Sequence, residues 1–165
     1  MRVWGQMIHR QGFTLVELLI AIAVLGVVLA IGVPTFQNTV INRRLDSAAS
    51  QFVNALVTAR SEAARRGVTI TLRPITANNW AGGWEVVLAN NTVLQRFDGA
   101  RNTTLTNLGN ITFSATGIRG DFATNGTTPT MKICDTMNSS AKGIQLTLNA
   151  TGGYTRSAIA SGCTP

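Results

Sequence analysis

Residues 10–36 read RQGFTLVELLIAIAVLGVVLAIGVPTF. Leu18 to Val33 is sixteen residues without one polar side chain, and from Phe13 to Phe36 only Thr14, Glu17 and Thr35 are polar among 24 residues. A helix of that length is about 36 Å long, enough for a hydrocarbon core of about 30 Å. Arg2 and Arg10 precede the run, so the short basic leader stays cytoplasmic and the rest of the chain lies across the membrane. As a secretory signal peptide the apolar region is too long and lacks a clean A-x-A end. As a plain anchor it gains nothing from Glu17, since a charged acid at the bilayer centre costs about 2.5–3.5 kcal/mol. An acid at such a depth has a partner or a function. No Lys or Arg within the apolar run supplies the partner in cis.

Beyond Pro34 the helical period continues. Leu45, Ala48, Phe52, Leu56, Ala59 and Ala63 form one apolar stripe, with Arg43, Arg44, Arg60, Glu62, Arg65 and Arg66 mainly off it. Arg65 and Arg66 suit the end of a helix, and Gly67 suits the position just past it. One helix over roughly 13–66 is predicted, its second half packed on a globular domain. Pro34 removes a helical hydrogen bond and crowds the preceding turn, so a kink or a locally melted turn is expected there.

The period then changes to two. VTITL (68–72), WEVVLA (84–89), VLQRF (93–97), ITFSA (111–115), TMKIC (130–134), IQLTL (144–148) and YTRSA (154–158) read as strands. AGG, ANN, NGTTP and TGG separate them, with ANN as a hairpin turn. Trp80 and Trp84, which flank AGG, read as core or sheet-edge packing rather than a ligand platform. The fold class is α+β: a long N-terminal helix, its first half membrane-spanning, packed on a C-terminal antiparallel β-sheet domain.

Composition narrows the chemistry. The chain carries a formal charge of +7, and from Arg43 onward 12 Lys and Arg face 6 Asp and Glu. That balance permits attraction to nucleic acid or anionic lipid, and equally serves solubility. The two cysteines, Cys134 and Cys163, do not form a C-x-x-C pair, which argues against a metal knuckle. In a domain outside the cytoplasm a disulfide is the natural reading, closing a loop of about 30 residues and contributing roughly 3.5 kcal/mol; two buried thiols are the alternative. The sole histidine, His9, falls in the leader. Histidine-based triads and metal sites are therefore excluded from the rest of the chain. There is no phosphate-cradling loop. No enzyme activity, cofactor or metal is expected.

GFTLVELLIAIAVLG followed by Pro34 resembles the class III signal of type IV pilins and pseudopilins. The resemblance implies a leader at 1–12, cleavage by prepilin peptidase between Gly12 and Phe13, and N-methylation at Phe13. It makes Glu17 the assembly acid, which approaches the α-amine of a neighbouring subunit, and Pro34 the family's helix proline. It further implies a filament-core segment at 13–36, an amphipathic helical half at 37–66 and a β domain at 67–165 with a disulfide-closed C-terminal region. LVTARSEAARRGVTITL (56–72) resembles the helix-to-strand junction of the GspH/FimT family. MKICD with KGIQLTLNATGGYTRSAIASGC resembles the final hairpin of FimU-like minor pilins, whose cysteine pair ties the tail down.

These resemblances imply a minor pilin that helps start a type IV pilus at its tip. An H-type pseudopilin of type II secretion is the first alternative. A DNA-binding minor pilin of natural transformation is the second, resting on Arg156 with Lys132 and Lys142. The implied partners are prepilin peptidase, other minor and major pilins and the inner membrane, with DNA less favoured. The implied location is the inner membrane with a periplasmic C-terminal domain, then a pilus or pseudopilus fibre.

Overall fold

The computed structural model describes residues 13–120, 128–137 and 142–165. The expected leader and Gly12 therefore lie outside the described residues. A single helix, α1, runs Leu15–Arg66. Eight strands follow among the described residues: β1 (Ile70–Thr76), β2 (Asn79–Leu88), β3 (Val93–Asp98), β4 (Thr103–Leu105), β5 (Ile111–Phe113), β6 (Thr130–Asp135), β7 (Gly143–Leu148) and β8 (Tyr154–Ile159). Contacts divide the chain into two units after Val40.

The first unit is bare helix. Every described residue from Phe13 to Gln37 is exposed, and the helix is long and apolar enough to cross a membrane. The locally melted turn expected at Pro34 is absent, for the helix passes through it unbroken. Proline deletes one ladder bond, and one missing bond does not end a helix whose neighbours keep theirs. The Thr35 and Thr39 hydroxyls also donate back to the carbonyls of Ile31 and Thr35, at 3.1 Å each.

The second unit starts at Ile41 and contains the core. Ile41, Leu45, Ala48, Ala49, Phe52, Ala55, Leu56, Ala59 and Ala63 are buried along one helical face, which includes every residue of the predicted stripe. The alanines let strands approach closely, and Phe52 fills the wider space. Its ring meets Trp80 and Trp84 edge to face, at centroid distances of 5.5 and 5.6 Å. Both tryptophans are buried, as core packing requires. The helix ends at Gly67, whose φ is +66°. The N–H groups of Gly67 and Val68 return to the Ala63 carbonyl, closing the last turn.

Two four-stranded antiparallel sheets complete the unit, in the orders β3-β2-β1-β5 and β4-β6-β7-β8. The expected strands are present with shifted ends, β4 is an addition to them, most of the NGTTP separator lies outside the described residues, and two further features differ from the sequence reading. AGG does not separate strands but lies inside β2. The backbone crowds there: Gly83 has φ +109°, and a Cβ on it would stand 2.7 Å from the Phe97 carbonyl oxygen. Glycine is thus a packing requirement of the sheet. Pro74 sits within β1, tolerated because β5 pairs only with Ile70 to Leu72 and leaves that edge open. ANN does form the turn joining β2 to β3, with Asn91 at φ +65°.

Candidate assembly site and the charged groove

At the N-terminus, Thr14 precedes the first helical residue, and its hydroxyl oxygen accepts the Glu17 N–H at 3.2 Å. The spacing Thr14-x-x-Glu17 is that of a capping box, a local signal overlooked in reading the segment only for its membrane length. The Glu17 carboxylate lies in the first turn of α1, where the helix dipole favours a negative charge. Apolar residues surround it in sequence, and all are exposed.

The C-terminal tail is tied to the sheet. Cys134 and Cys163 form a disulfide with their Cα atoms 5.6 Å apart. Gly143 is the register partner of Cys134 across β6 and β7. A side chain at Gly143 would run into the Cys163 sulfur, and its Cβ would stand 2.7 Å from the Ile133 carbonyl oxygen. This glycine makes the room that the disulfide occupies. Lys132 adds a second tie, its ammonium donating to the Thr164 carbonyl at 3.3 Å.

The three cations expected to act together are divided between two faces. Lys132 is in register with Gln145, and Gln145 with Ser157. Met131 is in register with Leu146, and Leu146 with Arg156. Neighbouring rungs point to opposite faces. Arg156 therefore shares the face of the buried Met131 and Leu146, and Lys132 lies on the other. Arg156 forms an ion pair with Asp46 of α1. Lys142 and Arg156 do line one cavity of about 400 Å³, together with Asn42, Leu45 and Asp46.

Further charge clusters form elsewhere in the second unit. Glu85 is buried, and its two oxygens accept from Arg73 and Arg96 on the flanking strands at 3.0 Å each. Asp135, with its side chain fully covered, pairs with Arg44 of α1 at 3.4 Å. On the last helical turn, hydrogen bonds from Arg65 and Arg66 hold the Glu62 carboxyl below the usual glutamate range. No group of three or more metal-ligating side chains occurs among the described residues.

The family described as type II transport protein GspH matches residues 48–152, and the prokaryotic N-terminal methylation motif matches residues 7–33. The chain belongs to the GspH family. Two crystal forms of the type IV minor pilin FimU of Pseudomonas aeruginosa strain PAO1 share its fold. One is 25% identical with a TM-score of 0.59, covering 73% of this chain and 96% of that chain. The other is 26% identical with a TM-score of 0.57, covering 71% and 98%. This GspH-family chain is thus pilin-like in both halves: a methylation-type apolar helix, which fits inner-membrane anchoring and entry into a pilus-type fibre, and a FimU-like β domain. Family and fold are those of structural pilins rather than enzymes.

Proposed function

We propose that this chain is a minor pilin that helps start a type IV pilus at its tip. The likeness to FimU, spanning nearly all of both FimU chains, carries this reading. The methylation motif supports processing by prepilin peptidase between Gly12 and Phe13, with N-methylation of Phe13. In the proposed fibre Glu17 pairs with the α-amine of a neighbouring subunit. A carboxylate among apolar side chains draws a cation, and the pairing offsets part of its desolvation while fixing axial register. The partners are other minor and major pilins, met first in the inner membrane with the β domain in the periplasm.

The family's type II transport description favours a second reading, an H-type pseudopilin of a secretion fibre built on the same helix. The DNA-uptake reading loses support, because Lys132 lies on the other face of the sheet from Arg156. Backbone binding of DNA recruits several cations on one surface.

Surface pilus yield tests the reading, in a strain lacking this chain and complemented with wild type or Glu17→Ala. Few pili, restored by wild type alone, is the expected result. Normal pili without the chain would refute the priming role and move attention to secretion. Salt-dependent DNA binding that is lost on Arg156→Gln would revive the third reading.

A further inference from the structure

Four strands are outermost in the two sheets, and three of them are blunted by short length or a register shift. β4 and β5 are three residues each, and β3 carries a register shift against β2. β8 differs. It has six residues, no proline and an unshifted register along β7 from Tyr154 to Ile159. Among the described residues no strand pairs with its other edge. Beside that edge two adjoining cavities make up a groove along α1: Asn42, Leu45 and Asp46 line one, Ala49, Val53 and Asn54 line the other, and Arg156 stands in the wall of both. From Asn42 to Asn54 the helix rises about 18 Å. Six extended residues span about 20 Å.

We infer that β8 and this groove receive an extended segment of a neighbouring fibre subunit as a fifth strand, with a carboxylate facing Arg156. The identity of the partner as a fibre subunit rests on the proposed function; the chemistry of the segment rests on the groove. Strand addition satisfies the open edge of β8 through the backbone, and alternate side chains of the newcomer lie over the groove. Half-buried Val53 and exposed Ala158 select apolar side chains at two of those positions. Arg156 selects an acid between them. An inward-facing charge is a recognised guard of an edge strand. Here the guard is held by Asp46, an exposed acid, so an incoming carboxylate can take the place of Asp46 without uncovering a buried charge.

The test uses the full chain in detergent micelles and a heptapeptide in which four threonines alternate with valine, glutamate and valine. Hydrogen exchange should slow at least tenfold at alternate amides of Tyr154–Ile159 when peptide saturates. A peptide with lysine for glutamate should bind at least fivefold more weakly, and Arg156→Glu should reverse that preference. Ala158→Arg, which fills the groove, should abolish protection, while Ser157→Arg on the opposite face should not. An intact disulfide and unchanged circular dichroism verify that all three variants are folded. Unchanged exchange at β8, or equal binding of both peptides by wild type and Arg156→Glu, would overturn the inference. Immunoblots of sheared fibres separate the two readings: absence of the chain from fibres refutes the fibre role and leaves the peptide result standing.

Discussion

Removing the Cys134–Cys163 bond by Cys134→Ser with Cys163→Ser should cost about 3.5 kcal/mol. The bond spans a sequence separation of 29, and loop-closure entropy for a loop that long gives roughly this value. The unit it staples runs from Ile41 to Pro165, 125 residues. At about 2.1 cal/mol/K of unfolding entropy per residue, that loss lowers Tm by about 13 °C. Trp80 and Trp84, both buried against Phe52, report the melt through their fluorescence as the core opens. The membrane segment contributes no tryptophan between Phe13 and Val40 to blur it. Gly143→Ala approaches the same bond sterically, and labelling should find free thiols where the native chain has none. A Tm shift under about 4 °C, or full disulfide formation in Gly143→Ala, would refute the view that the glycine makes room for a bond that clamps the tail.

Phe52→Ala should destabilise the β domain by about 3–5 kcal/mol, because the ring is fully buried between two tryptophans; denaturant unfolding followed by tryptophan fluorescence measures it. Glu85→Gln should lose about 2 kcal/mol, since it leaves Arg73 and Arg96 side by side without the anion between them. The same denaturation assay measures that loss, and high salt should narrow the difference from wild type. Glu62 should titrate below the ordinary glutamate range by NMR and move back up in Arg65→Gln with Arg66→Gln. Its folded pKa is depressed, so the pairing stabilises above the unfolded pKa and is lost as pH falls through the folded one.

What was legible in the sequence is what neighbouring residues decide together. The apolar run, the helix stripe from Leu45 to Ala63 and the Gly67 stop are all set within a few turns of chain, and each appears in the structure. Period-two segments revealed seven strands for the same reason. β4 was missed because Thr103–Leu105 carries a single apolar residue among polar neighbours, which reads as loop. AGG was misread because Gly83 answers to Phe97 on another strand, not to a turn of its own. The charged groups required still longer reach. Arg156 meets Asp46 across 110 residues, and Glu85 meets its arginines only once three strands are in register. Lys132 and Arg156 look alike in a list of cations, and a one-residue difference in rung puts them on opposite faces.

In the proposed fibre, the two halves of α1 divide the energetics of assembly. From Leu18 to Val33 the helix is apolar on every side, so bilayer and fibre core solvate it nearly equally well. Lipid tails are as apolar as leucine, and burial alone gives such a helix little reason to leave the membrane. A preference for the fibre must come from groups that the two environments treat differently. Glu17 is the one charged group within the apolar run, and a cation is available to it from a neighbour's N-terminus but not from lipid tails. From Ile41 onward the helix has the opposite character: one face is already buried under the sheets, and Asn42, Asp46, Ser50 and Asn54 border the β8 groove. Selectivity among neighbours then falls to the β domain, while the acid governs entry. Glu17→Gln and Arg156→Glu should accordingly fail in different ways. The first should leave the chain in the inner membrane and out of sheared fibres. The second should still allow it into fibres, with its neighbours changed, as site-directed crosslinking from Ala158→Cys would reveal. Equal loss from fibres in both variants would refute this division of labour.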